Sequence, residues 1–143
     1  MRTILATTMF AAGLALAATA AADNGGRPLS ATMTGEAEAP GPGDPDGSGT
    51  AEFRVNPGQG EVCYTLTVSD IAPATAAHIH RAPPGAPGPV VVPLAAPTSG
   101  TSSGCASVDR ALAQELIRNP GAFYVNVHNA SHPGGAVRGQ LER

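Results

Sequence analysis

Hydrophobic and polar residues alternate over short runs of this chain, and this two-residue period is the feature that most limits its fold. An amphipathic helix would instead repeat every 3.6 residues or so. Gly, Pro, Asp and Ser separate the runs at the spacing typical of β-sandwiches and barrels. The predicted strands are Leu29–Ala39, Thr50–Asn56, Glu61–Ser69, Ala76–Arg81, Val90–Leu94, Cys105–Val108, Phe123–His128 and Ala136–Glu142. We therefore predict an all-β domain, an antiparallel sandwich of about eight short strands with Greek-key-like connections.

One short helix interrupts the strands. Ser107 or Asp109 can cap its start, and the segment Asn119-Pro120-Gly121 ends it. Its apolar stripe consists of Leu112, Leu116 and Ile117. We expect this helix to form a crossover between two strands.

The first residues have the layout of a secretory signal peptide. A positive start at Met1-Arg2-Thr3 precedes an apolar run that ends in small residues, with cleavage expected after Ala20 or Ala22. The alternative is an uncleaved membrane anchor, because no charge lies between Thr3 and Ala22. We predict a signal peptide at residues 1–22, a single domain at residues 23–143, and a secreted or periplasmic location with no membrane contact after cleavage.

Charge and cysteine content narrow the function further. Residues 23–143 carry seven Arg, no Lys and eleven Asp and Glu, so the basic surface of a nucleic-acid-binding protein is missing. Export would place Cys63 and Cys105 in an oxidising compartment, where a disulfide is the expected state. A pair of metal thiolates is the alternative, but the two cysteines lack the close spacing of such sites.

The four histidines fall into two clusters. His78 and His80 share one face of a predicted strand, with Ile79 on the other face. His128 ends a later strand, and His132 lies in the loop after it. A His-x-His strand is a common way to offer two ring nitrogens to one metal ion.

The residues around these histidines resemble the CHRD domain family, the module named after chordin. The first matching motif is Ala77-His78-Ile79-His80-Arg81-Ala82 with the Gly and Pro residues that follow it. The second runs from Tyr124-Val125-Asn126-Val127-His128 to Gly135-Ala136-Val137-Arg138-Gly139-Gln140-Leu141. The resemblance covers nearly all of residues 23–143 and implies a compact extracellular β domain, while it implies little chemistry.

We expect a transition-metal site built from His78, His80 and His128, with His132 as a candidate fourth ligand. Neutral imidazoles suit Cu(II) or Zn(II). The alternative is that these histidines only make hydrogen bonds within the sheet and loops. The same features also resemble Cu/Zn superoxide dismutase by analogy, and Arg138 would then either steer an anion or form a structural ion pair.

Two acidic segments carry weaker hypotheses. Asp44, Asp46 and Ser48 lie in a Gly-rich turn and offer oxygen ligands for calcium, although Asp and Gly are also ordinary turn residues. Glu36 and Glu38 would share one strand face, which a solvated strand edge explains.

No catalytic motif is present in the sequence, since nucleophile elbows, phosphate-binding loops and H-E-x-x-H helices are all missing. We therefore expect a secreted non-enzymatic protein that binds copper or zinc. The alternatives are a metal-free module that binds an extracellular protein partner and a dismutase-like copper protein.

Overall fold

The computed structural model describes residues 25–143, so the predicted signal peptide at residues 1–22 lies outside the described residues. The strands are β1 (Arg27–Thr34), β2 (Ser48–Asn56), β3 (Glu61–Ser69), β4 (Ala74–Arg81), β5 (Val90–Leu94), β6 (Thr101–Ser107), β7 (Phe123–Asn129) and β8 (Val137–Gln140). Helix α1 (Arg110–Arg118) and a single 3₁₀ turn (Pro120–Ala122) connect β6 to β7. The predicted all-β fold with eight strands and one helix is confirmed.

The eight strands form one antiparallel sheet in the order β5-β4-β7-β8-β1-β2-β3-β6. Hairpins join several neighbours, whereas β3 pairs with β6, β4 with β7 and β8 with β1 across longer connections. The two edge strands approach each other around Ala95, which follows β5. Its N–H donates to the Tyr64 hydroxyl and its carbonyl accepts from the Ser102 hydroxyl, both at 2.8 Å. The sheet is therefore curled into a nearly closed barrel.

Alternate residues of the strands fill the inside of this barrel, as the period of two requires. On β4 the inward residues include Ala77 and Ile79, and on β7 they are Phe123, Val125 and Val127. Helix α1 contributes Ala113 and Leu116 to the same core. Each large aliphatic side chain that is fully buried stabilises the fold by about 1.5–3 kcal/mol. The even-numbered residues of β7, and those of β4 from Ala76 onward, consequently lie on the outer face of the sheet.

Two predicted strand boundaries are wrong, each for a physical reason. Strand β1 ends at Thr34 rather than Ala39, because the chain turns at Gly35, where an added Cβ would overlap the carbonyl of Asp44. Strand β6 begins at Thr101 rather than Cys105. Its polar start pairs with β3, and the Thr101 hydroxyl donates to the carbonyl of Leu66 at 3.0 Å.

The remaining boundaries differ less from the prediction. Strand β8 is shorter than the predicted Ala136–Glu142, although Glu142 still pairs with Ser30 through an isolated bridge. Asp109 rather than Ser107 precedes the helix, and its side chain makes no capping hydrogen bond. Among residues 25–143, no helix is both long and apolar enough to cross a membrane.

The predicted disulfide joins Cys63 to Cys105. The two residues are direct partners in the pairing of β3 with β6. The bond lies on the outer face of the sheet and ties the edge strand β6 to its neighbour. It also leaves no free cysteine among the described residues.

Candidate metal centre

Three of the four histidines meet on the outer face of strands β4 and β7. His78 and His80 alternate with the buried residues Ala77 and Ile79, so both rings point away from the core. The pairing of β4 with β7 places Ala76 opposite His128. The ring centres of His78 and His128 are therefore only 5.0 Å apart, and those of His78 and His80 are 5.4 Å apart.

The ring nitrogens of these histidines converge. One nitrogen from each of the three rings can be chosen so that all lie within 4.8 Å of one another. Nδ1 of His78 and Nε2 of His128 are 3.2 Å apart. Two nitrogens on a tetrahedral zinc ion, each about 2.0–2.1 Å from the metal, would be about 3.3 Å apart. The separation of this pair therefore fits two ligands of one ion.

Main-chain carbonyls accept hydrogen bonds from two of the rings. Nδ1 of His80 lies 2.9 Å from the carbonyl oxygen of Gly88, and Nδ1 of His128 lies 2.9 Å from that of Pro133. A carbonyl only accepts hydrogen bonds, so each Nδ1 carries the proton and each Nε2 is left with its lone pair. Histidine ligands of metals characteristically have such a partner on the second nitrogen.

One of the two ring nitrogens of His80 has no partner. His80 is 8% exposed, and its Nε2 is buried without a hydrogen bond among the described residues. A buried acceptor left unsatisfied costs about 1–3 kcal/mol. The structure therefore contains a buried lone pair without a partner on one histidine of the three-histidine cluster.

The surroundings keep two of these imidazoles neutral. Burial lowers the pKa of His78, and positive charge on His128 or His80 would lower it further. Burial also lowers the pKa of His128, against the opposing effect of its hydrogen bond to Pro133. Neutral imidazole is the form that binds metal ions, so His78 and His128 have the protonation state of metal ligands near neutral pH.

A column of stacked side chains backs the cluster. The ring of Tyr124 lies parallel to that of His80, with ring centres 4.7 Å apart and an angle of 3° between the planes. The guanidinium carbon of Arg138 lies 3.4 Å from the centre of the same Tyr124 ring. Gly88 joins the arrangement, because its N–H donates to the Tyr124 hydroxyl while its carbonyl accepts from His80.

Arg138 occupies a structural position and is not at the surface. It is 1% exposed, and its guanidinium donates to the carbonyls of Ala86 and Pro83 and to the side-chain oxygen of Gln140. An anion in solvent cannot reach a group held in this way. The hypothesis that Arg138 steers an anion is therefore not supported by its position, and its contacts are mainly with carbonyls rather than an ion pair.

Glu38 is a neighbour of this column that sequence reasoning missed. The segment after Gly35 folds over the outer face of the sheet, so Glu38 is 8% exposed instead of lying on a solvated strand edge. Burial raises its pKa to about 7, although Arg138, Asn126 and the main chain of Ala39 oppose that rise. No signal in the sequence distinguishes Glu38 from the exposed Glu36 beside it.

The other predicted site residues lie apart from the cluster. His132 does not belong to the group of converging ring nitrogens; its main-chain N–H donates to the Asn129 side-chain oxygen at 2.8 Å. In the proposed calcium turn, a side-chain oxygen of Asp44 accepts from the N–H of Asp46 at 3.1 Å, which is ordinary turn geometry. Ser48 is the first residue of β2 and is exposed.

The fold and the site define a small, nearly closed antiparallel β domain that carries a three-histidine cluster on its outer face. A family model described as the CHRD domain matches residues 29–141, and the chain belongs to the CHRD domain family. The resemblance noted in the two histidine-containing motifs is thus confirmed. No curated protein and no solved structure matches this chain.

Proposed function

We propose that this CHRD domain binds one Cu(II) or Zn(II) ion through His78, His80 and His128. The observation that carries the proposal is the buried Nε2 of His80, which has no hydrogen-bond partner among the described residues, on a ring that belongs to a group of three histidines with converging nitrogens. A bound ion would satisfy this lone pair and those of the other two rings at once. Hydrogen bonding alone accounts for the facing nitrogens of His78 and His128 and for Nδ1 of His80, but it leaves Nε2 of His80 without a partner.

The available donors favour a borderline metal with nitrogen ligands. The disulfide occupies both thiols, so thiolate sites and blue-copper sites are not available. Met33 is fully buried in the core and cannot serve a Cu(I) thioether site on the outer face. Imidazoles then remain as the strong ligands for a transition metal, and they suit Cu(II) and Zn(II).

The proposed setting is outside the cytoplasm, secreted or periplasmic. A disulfide between paired strands is stable in an oxidising compartment, and the expected signal peptide at residues 1–22 agrees with export. The protein would then take up its ion where copper and zinc are not buffered by cytoplasmic thiols.

A metal-free interaction module is the second candidate function. One observation favours it: Val90, on the edge strand β5, is a large hydrophobic residue that is 49% exposed. An edge strand offers unpaired main-chain groups to another protein. In this case the histidine cluster would only shape the neighbouring loops.

Calorimetric titration separates these functions. The protein is purified without a histidine tag and titrated with Cu(II) and with Zn(II), together with His80→Ala, His128→Ala and the matched control His132→Ala. We expect one site per chain with a sub-micromolar dissociation constant. Each of the two cluster variants should bind at least 100-fold more weakly, and the control should bind within about threefold of the unaltered protein.

The opposite results would overturn the proposal. Absence of binding heat at several temperatures, or binding that is indifferent to His80→Ala and His128→Ala, would remove the metal function and leave the interaction module. Consumption of superoxide by the copper-loaded protein, well above that of free copper, would favour the dismutase-like alternative.

A further inference from the structure

Arg138 carries a buried charge beside the proposed metal site. It is 1% exposed, and the Arg81–Glu115 contact is the one salt bridge found within residues 25–143, so no carboxylate pairs directly with Arg138. Glu38 is the carboxyl group that interacts electrostatically with Arg138, and burial raises the pKa of Glu38 to about 7. The positive charge of Arg138 is consequently only partly compensated near neutral pH.

Tyr124 stands between this charge and one of the proposed ligands. Strand β7 lies between β4 and β8, so His80 and Arg138 approach the Tyr124 ring from strands on opposite sides. His80 stacks on the ring at 4.7 Å, and the Arg138 guanidinium carbon lies 3.4 Å from its centre. Tyr124 is itself 3% exposed, so the whole column of His80, Tyr124 and Arg138 is buried.

We propose that Tyr124 and Arg138 are positioning residues of the metal site, and that the charge of Arg138 raises the ratio of the Cu(I) affinity to the Cu(II) affinity. Tyr124 fixes the plane of the His80 ring beside the other two histidines. Arg138 holds Tyr124 and adds a fixed positive charge. This inference rests on the proposed function, because it concerns the same three-histidine site.

The direction of the effect follows from electrostatics. The guanidinium lies within about 8 Å of the His80 ring centre, because both contacts meet at the Tyr124 ring. An ion bound by that ring would lie about 8–11 Å from the guanidinium, and a fixed positive charge at this distance disfavours the ion with the higher charge. With an effective dielectric constant of about 20, one unit of charge changes the ratio of Cu(I) to Cu(II) affinity on the order of tenfold to thirtyfold. Zn(II) carries the same charge as Cu(II), so its affinity should change in the same direction as that for Cu(II) when the Arg138 charge is removed.

Two substitutions separate charge from packing. Arg138→Gln removes the charge but keeps a group that can donate to the carbonyls of Ala86 or Pro83, and Arg138→Lys keeps the charge without the planar guanidinium. The matched control is Arg81→Gln. Arg81 also lies over an aromatic ring, that of Phe123 at 4.8 Å, but it is paired with Glu115 and Phe123 does not stack on a ligand.

The experiment measures Cu(I) affinity by competition with bicinchoninate, and Cu(II) affinity by competition with glycine, on the full exported protein. We expect the ratio of Cu(I) to Cu(II) affinity to fall at least tenfold in Arg138→Gln, and to change less than threefold in Arg138→Lys and Arg81→Gln. Tyr124→Leu should alter the hyperfine pattern of the Cu(II) electron paramagnetic resonance spectrum, because the His80 ring can then tilt. Circular dichroism first shows that each variant is folded.

Specific results would overturn the inference. An unchanged affinity ratio in Arg138→Gln, or an equal fall in Arg138→Gln and Arg138→Lys, would refute the electrostatic role. If Arg138→Gln does not fold, the ratio in Arg138→Lys and the spectrum of Tyr124→Leu decide: a tenfold fall in the first or an unchanged spectrum in the second counts against it. If the unaltered protein binds no copper, the proposed function itself fails, which is a different result from normal binding with an indifferent Arg138.

Discussion

Replacing Glu38 by glutamine should remove a pH-dependent cost from the folded protein. Glu38 is 8% exposed, and one of its carboxylate oxygens has no hydrogen-bond partner among the described residues. Its surroundings leave no spare room, because a Cβ at Gly135 would overlap the carboxylate. Burial therefore outweighs the attraction of Arg138 and raises the pKa to about 7 from an ordinary value of 4.5.

The direction in which stability changes with pH follows from the number of protons that each state binds. Between pH 4.5 and about 7 the folded state holds a proton on Glu38 that the unfolded state has released, so the free energy of unfolding falls as pH rises. The full shift corresponds to roughly 3 kcal/mol at 1.36 kcal/mol per pKa unit. Part of the group is screened by solvent, and we expect about 2 kcal/mol to remain. Below pH 4.5 Glu38 is protonated in both states and folding carries no cost from its burial as a charged group. The cost develops between pH 4.5 and about 7, and it is complete above that pH.

Urea unfolding of metal-free protein at several pH values between 4 and 8.5 measures this effect. The contributions of the histidines are common to both proteins and cancel in the difference between Glu38→Gln and the unaltered chain. That difference should grow by about 2 kcal/mol in favour of glutamine as pH rises from 4.5 to 8. Glu36→Gln is the matched control, because its side chain is exposed and the same formal charge is removed. A difference for Glu38→Gln that stays constant with pH would refute the reasoning.

Three further predictions concern the sheet and the cluster. Changing Cys63 and Cys105 together to alanine removes a cross-link with a sequence separation of 42, and urea denaturation should show a loss of about 4 kcal/mol; an unchanged midpoint would contradict it. Ile79→Ala should cost about 2–5 kcal/mol, because the side chain is fully buried; a loss below about 1 kcal/mol would argue against its core position. In the metal-free protein, burial lowers the pKa of His78 and His128 below the ordinary value of 6.5, so their contribution to the free energy of unfolding should be lost as pH falls below about 6.5. Replacing both by glutamine should remove this part of the pH dependence, as measured by urea unfolding at several pH values.

The placement of His78 and His80 could be predicted because it depends on local geometry alone. Side chains alternate across any strand, so two histidines separated by Ile79 must share a face whichever strand lies beside them. Apolar residues at alternate positions of Phe123–His128 likewise mark the inner face of β7 in the sequence. The two-residue period had already indicated the all-β fold class, which the family resemblance also implied and the structure confirms.

Long-range pairing could not be read from the same patterns. His128 joins His78 because β4 pairs with β7 in one register, across 50 residues of chain. The burial of Glu38 depends on a turn at Gly35 that packs against Asp44, and an alternating pattern continues through that turn in the sequence. The start of β6 is polar, so it resembles a loop until its hydrogen bonds to β3 are known.

The position of the metal can be measured directly by anomalous X-ray diffraction at the copper or zinc absorption edge, from crystals of the protein grown with one equivalent of the ion. The account predicts a single strong peak about 2.0–2.1 Å from three ring nitrogens, those of His78, His80 and His128, with the Nδ1 atoms of His80 and His128 still bonded to Gly88 and Pro133. A peak at His132 or in the turn at Asp44 and Asp46, or no peak at the cluster, would contradict it.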